Sequence, residues 1–154
     1  MEKNPKELIY KKIVLKLTGQ IFSCSSAPYN SPRVGKAVEE IKAALEQGMK
    51  IIMVVGGGNI FRGRDINIPG FMKNRADHMG MLATGMNAIF LEQIMKLQNV
   101  SAKVFTAIKM DEVADYYTSE RANAALEKHG IIIASCGLGK PYCSTDYASM
   151  VYAL

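Results

Sequence analysis

Three short stretches of this 154-residue sequence place glycine beside cationic and hydroxyl side chains in a way that suits phosphate. They are Lys16-Leu17-Thr18-Gly19, Gly56-Gly57-Gly58-Asn59-Ile60-Phe61-Arg62-Gly63 and Gly137-Leu138-Gly139-Lys140-Pro141-Tyr142-Cys143-Ser144-Thr145-Asp146. Without a Cβ, the backbone can turn its amides onto an oxyanion at hydrogen-bonding distance. A helix start behind such a loop adds partial positive charge. Lys16 and Arg62 add full charges, and the planar arginine fork matches phosphate oxygens. Moving a phosphoryl group between two anions needs little beyond positioning and cations that offset their repulsion.

Common phosphate motifs fit poorly. The only Gly-Lys pairs, Gly35-Lys36 and Gly139-Lys140, are followed by Ala and Pro, so no G-x-x-x-x-G-K-[ST] occurs, and there is no G-x-G-x-x-G. The residues alone therefore support binding of a phosphorylated metabolite. Singly, each has a plainer reading too. Lys16 could be a sheet-end lysine, and the second-loop glycines could be turn glycines. Asp77, three residues after Asn74, could be part of a capping box. Asp111, Glu112 and Asp115 read as a solvated acidic loop rather than a Mg²⁺ site, and His78 and His129 as surface or helix-end histidines.

The elements that must position these loops alternate in type. Residues 11–17 and 51–55 read as strands, the latter continuous and apolar enough for burial on both faces of a parallel sheet. Residues 102–105 and 131–134 read as a third and fourth. Residues 23–28 form the most linker-like stretch. Ser31-Pro32 predicts a helix start with Ser31 as N-cap, followed by Val34, Val38, Ile41 and Leu45 and closed by Gly48. Met79, Leu82, Met86, Ile89 and Leu97 mark one face of a long helix, with Met79, Met81, Met86 and Met95 as core filler. Thr118 caps a short helix ended by Gly130. The expected fold is a three-layer α/β/α sandwich with a mainly parallel sheet, whose strand ends all open on one edge. The chain stops inside an apolar helical segment, which predicts a C-terminal truncation.

Composition limits the partners. Hydrophobic residues make up 49% and charged residues 21%. No apolar run reaches the length of a membrane helix, and residues 1–6 lead into no signal-peptide core, which predicts a cytoplasmic protein without a membrane partner. The net charge of +5 is scattered among acids and lacks a basic stripe, so a small anionic ligand is expected and nucleic acid is not. Cys24, Cys136 and Cys143 have no metal-ligand spacing and read as free thiols, and no metal-binding residues are assigned.

The same loops carry a family resemblance. K-L-T-G at residues 16–19, V-V-G-G-G-N-I-F-R-G at 54–63, R-A-D-H-M-G-M-L-A-T at 75–84 and S-T-D at 144–146 resemble, in order and spacing, the bacterial UMP kinases of the amino acid kinase fold. The combination of G-G-G-N, F-R-G and D-H-M-G-M-L-A-T is the specific part of that match. The resemblance implies phosphoryl transfer from ATP, with Mg²⁺, to UMP, in a homohexamer. It implies that Lys16, Leu17, Thr18, Gly19, Gly58 and Arg62 serve ATP, and that Gly57, Asp77 and residues Leu138, Gly139, Lys140, Pro141, Tyr142, Cys143, Ser144 and Thr145 serve UMP. Lys16 would stabilise the transferring group, Arg62 would sit near both phosphates, and Asp146 would orient Lys16. It further implies that residues 1–154 are the UMP-binding and phosphate-loop part, with the adenine- and ribose-gripping part of the ATP site absent. Gln20, Lys140 and Cys143 depart from the family pattern, which has Glu, Asn and an aromatic residue at these places. Beside the kinase stand two alternatives: a non-catalytic nucleotide-binding or assembly module, and a carboxylate kinase of the same fold.

Overall fold

The computed structural model describes residues 8–154, so the charged run at residues 1–6 lies outside them. Five strands, β1 (Lys12–Leu17), β2 (Lys50–Val55), β3 (Lys103–Thr106), β4 (Asp115–Tyr116) and β5 (Ile131–Ser135), form one sheet in the order β1-β2-β5-β3-β4. Every pairing is parallel. Four helices, α1 (Ser31–Glu46), α2 (Lys73–Leu97), α3 (Ser119–His129) and α4 (Thr145–Ala153), cover the two faces.

The alternation of side chains along β2 and β5 explains the three layers. Ile51, Met53, Val55, Ile131 and Ile133 point to one face and pack with Val34, Val38 and Ile41 of α1 and Ala88, Leu91 and Met95 of α2. Ile52 and Ile132 point to the other and pack with Phe105 and with Ala122 and Leu126 of α3, where Tyr152 of α4 joins them. Strands covered on both faces must be apolar where they are covered, as residues 51–55 and 131–134 are. Among the described residues, no helix is long and apolar enough to cross a membrane.

Several local expectations need correction. The N-cap of α1 is Asn30, whose side chain accepts from the Arg33 N–H at 3.0 Å, while Ser31 is already helical. Asn74 does not open a capping box: α2 begins one residue earlier, Met72 precedes it without a side-chain cap, and Asn74 Oδ1 is buried with no partner. The stretch at residues 23–28 is no linker. Its ends are tied down by the Cys24–Ala27 bridge and by the flanking Phe22 and Tyr29, which pack on Phe90 of α2 with ring centroids 6.4 and 4.3 Å away. The apolar face read for α2 points outward. Met79, Leu82, Met86, Ile89 and Leu97 are exposed, whereas Ala76, Met81, Ala83, Thr84, Asn87, Ala88, Leu91 and Met95 are buried. Met81 and Met95 are core filler as expected, and Met79 and Met86 are not. The two-residue strand β4 was not anticipated. It sits where Asp115 is held by Lys103 and Arg121, each at 2.6 Å, which accounts for part of the acidic loop.

The cap assignment is open to test. Asn30→Ala should cost about 1 kcal/mol in urea unfolding, the usual value of an N-cap hydrogen bond, and Ser31→Ala should cost markedly less. Equal losses would return the cap to Ser31.

Candidate functional site

The parallel sheet brings the carboxyl ends of β1, β2 and β5 side by side, and the three glycine-containing loops leave from these ends. The first two loops interlock. The Gly56 N–H donates to the Leu17 carbonyl at 2.8 Å, and a methyl group at Gly19 would lie 2.5 Å from the Gly58 nitrogen and 2.8 Å from Asn59 Oδ1. Only glycine permits that approach. Gly57 is equally confined, against α2: a Cβ there would lie 2.8 Å from the Ala83 methyl and 2.9 Å from the Thr84 nitrogen. The second loop therefore packs on the flank of α2, not its N-terminus. The helix start at the site is that of α4, capped by Ser144, whose hydroxyl accepts from the Tyr147 N–H at 3.1 Å.

Two buried polar residues on α2 hold this arrangement, and neither was singled out from the sequence. Asn87 is fully buried, and its Nδ2 donates to the Gly56 carbonyl and to Asn59 Oδ1, both at 2.7 Å. Asn59 Nδ2 donates on to the Pro28 carbonyl at 3.0 Å. One turn away, Thr84 Oγ1 accepts from the Cys136 N–H at 2.7 Å and donates to the Met81 carbonyl. Cys136 is buried and sits at φ +62°, a strained conformation for a residue with a side chain. Burial pushes its thiol pKa up. The third loop is fastened twice more. The Tyr152 hydroxyl, its pKa raised by burial, donates to the Gly137 carbonyl at 2.7 Å, and Asp77 Oδ2 accepts from the Tyr142 N–H at 2.8 Å.

Between the second loop, the third loop and α2 lies a cavity of about 200 Å³. Of the residues expected at the site, Gly57, Gly58, Asp77, Lys140, Cys143 and Thr145 line it. Phe61, Met81, Thr84 and Gly137 line it as well; none was assigned a site role, although Phe61 and Gly137 stand in the second and third loops and Met81 and Thr84 in the motif at residues 75–84. Leu138, Gly139, Pro141, Tyr142 and Ser144 belong to the loop without lining the cavity. Gly139, at φ +71°, is pressed on the Ala107 carbonyl instead.

Of the ATP-side candidates Gly58 lines the cavity, and Lys16, Leu17, Thr18, Gly19 and Arg62 do not. Lys16 Nζ lies 2.9 Å from Asp146 Oδ1, joining the end of β1 to the first turn of α4. With the aspartate side chain 74% exposed, such a pair is worth at most about 1 kcal/mol, so its consequence is the direction in which the ammonium is held. Arg62 Nε donates to the Gly58 carbonyl at 2.7 Å, folding the guanidinium back over its own loop. Leu17, Thr18 and Gly19 follow Lys16, and Thr18 is exposed while Gly19 is buried against Gly58. All three cysteines are free. Among the described residues no group of three or more His, Cys, Asp or Glu side chains could hold a metal ion. Asp77 makes a second contact with Lys73. Partial burial works against the charged carboxylate, but the Tyr142 N–H and the Lys73 ammonium outweigh it and hold the pKa below the ordinary carboxyl value.

Residues 11–154 match the Amino acid kinase family. The chain is 39% identical over 151 residues to the uridylate kinase of Ruegeria pomeroyi, covering 97% of this chain and 60% of that protein. To the uridylate kinase of Corynebacterium diphtheriae it is 37% identical over 145 residues, covering 94% and 60%. Among solved structures, the UMP kinase of Ureaplasma parvum superposes with a TM-score of 0.88 at 30% identity, covering 95% of this chain and 64% of that one. The Bacillus anthracis UMP kinase gives 0.88 at 33%, covering 94% and 60%. The chain thus spans about 60% of the length of the curated relatives it matches.

Two outcomes follow from this geometry. Asn87→Ala leaves the Gly56 carbonyl and Asn59 without their buried partner and should cost about 1–3 kcal/mol in urea unfolding; a loss within ±0.5 kcal/mol would contradict the role given to Asn87. For Asp77 the depressed folded-state pKa sets the sign. Its contribution to stability is present above the ordinary carboxyl range and is lost as pH falls through the folded-state value. The stability gap between wild type and Asp77→Asn should accordingly be widest near neutrality and close on acidification, and a gap independent of pH would contradict it.

Proposed function

The chain belongs to the amino acid kinase family, and we propose that within it the protein is a nucleoside monophosphate kinase, transferring the γ-phosphoryl group of ATP to UMP to give UDP and ADP. The observation that carries this reading is the convergence of Gly57, Gly58, Asp77, Lys140 and Thr145, from two glycine loops and two helices, on one cavity beside Lys16 and Arg62. UMP occupies that cavity, its ribose hydroxyls donating to Asp77 and its base and sugar enclosed by residues 138–145. ATP lays its phosphates along Lys16, Leu17, Thr18, Gly19, Gly58 and Arg62, and Mg²⁺ arrives as part of MgATP. Residues 1–154 are the UMP-binding and phosphate-loop part of the domain, and the reading puts the protein in cytoplasmic pyrimidine nucleotide synthesis.

A phosphate oxygen of UMP attacks the γ-phosphorus, and the bond from that phosphorus to the β,γ-bridging oxygen breaks, leaving ADP. Two anions must approach, so the chain's task is to offset charge and to align. Lys16, aimed by Asp146, faces the transferring group. Arg62, anchored by the Gly58 carbonyl, can present its remaining N–H donors to both phosphates. The glycine amides cost no reorganisation, because Asn87 and Thr84 already hold their loops in place.

Association into a homo-oligomer, a hexamer by the family resemblance, belongs to the same proposal. Met79, Leu82, Met86 and Ile89 are exposed at the three–four spacing of a coiled-coil seam, and the last three line an apolar cleft with Val104, Met110 and Val113. A second copy of α2 fits that seam.

Calorimetric titration with UMP, CMP and AMP tests the substrate. UMP should bind at least about tenfold tighter than the other two, and equal or absent binding of all three would sink the reading. A coupled assay for ADP release then separates a kinase from a module that only binds. UMP binding without turnover selects the non-catalytic alternative. Light scattering on Leu82→Lys/Met86→Lys should show a smaller particle than wild type; an unchanged mass would exclude the α2 seam.

A further inference from the structure

Lys73, in the first turn of α2, was not among the site candidates, yet it contacts both Asp77, which lines the cavity, and Tyr142 of the third loop. Its Nζ donates to both oxygens of Asp77, at 3.0 and 3.2 Å. The same ammonium lies 5.3 Å from the centroid of the Tyr142 ring. Tyr142 in turn donates its backbone N–H to Asp77 Oδ2 at 2.8 Å, across 65 residues of sequence. Tyr142 is exposed and sits at φ +66°, where a residue with a side chain needs outside support. Lys73, Asp77 and Tyr142 therefore close a three-way contact that straps the third loop to α2.

We propose that Lys73 is a positioning residue for this cavity. It fixes the orientation of the Asp77 carboxylate and holds Tyr142, and with it the third loop, in the closed position. An ordinary i,i+4 pair on an exposed helix would contribute little. Here the shared carboxylate also holds a distant loop. A carboxylate offers about four acceptor sites. Lys73 and the Tyr142 N–H meet Oδ2 and Lys73 alone meets Oδ1, so acceptor capacity remains on Oδ1 for a ligand hydroxyl. A carboxylate locked in this way discriminates a ribose from a sugar lacking the hydroxyl. The ligand part of the proposal rests on the UMP reading; the strap itself does not.

The test uses the full chain with Lys73→Met, which keeps the apolar stem, and Lys73→Arg, which keeps the charge. Without ligand, amide hydrogen exchange at Tyr142 should quicken at least about tenfold in Lys73→Met and stay near wild type in Lys73→Arg. Calorimetry should show UMP binding weakened about tenfold by Lys73→Met and 2′-deoxy-UMP binding weakened far less. In an Asp77→Asn background, Lys73→Met should add nothing. Unchanged exchange at Tyr142 overturns the strap. Equal weakening of the two nucleotides, or an effect that adds fully to Asp77→Asn, overturns the action through Asp77. Should wild type bind neither nucleotide, the UMP reading falls, and the exchange measurement still decides the strap.

Discussion

Everything at the site depends on how two glycine loops are held still, and the holding is done from the middle of one helix. Asn87 and Thr84 are neighbours on the inner flank of α2. One donates to the carbonyl of Gly56, and the other accepts from the N–H of Cys136. A glycine loop is otherwise the most expensive backbone to order. Buried side-chain hydrogen bonds, costly to leave unmade, turn that entropy problem into a defined geometry. The sheet places the loops on one edge, while α2 sets how far apart they stand.

This explains why the flank of α2 that meets the loops is built of small and polar residues. Met79, Leu82, Met86 and Ile89 face outward, Met81, Leu91 and Met95 are buried, and the flank that meets the loops is made of Ala83, Thr84, Gly85, Asn87 and Ala88. Small residues let the backbone of Gly57 reach the helix, where a single methyl group would collide with Ala83 and Thr84. The helix therefore uses steric room where a core would use volume. The large side chains left outside form the exposed row proposed as the seam between copies.

Much of this was readable beforehand. β1, β2, β3 and β5 lie within a residue or so of the runs that predicted them; β2 and β5, buried on both faces, leave a nearly continuous apolar record, and β1 and β3 leave short β-branched or aromatic ones. Thr118 and Gly130 mark the ends of α3 as expected, since caps are local chemistry. The loops and their order were legible for the same reason. What escaped is non-local. Ser31 and Asn30 are both good caps, and only geometry tells them apart. Pairing with β3 makes β4 a strand, which two residues cannot announce. Nothing in the sequence signals what Asn87 and Thr84 hold, because their partners lie 31 and 52 residues away.

The central claim is that the space between these loops and α2 is a seat for UMP. Nitrogen-15 correlation spectra of the full chain titrated with UMP test it most directly. The account predicts that the amides of Gly57, Gly58, Gly137, Lys140 and Thr145 shift together, saturably, with the outer face of α2 undisturbed. A saturable response centred elsewhere, or none at millimolar nucleotide (~1 mM, where even binding worth about 4 kcal/mol would register), would contradict it.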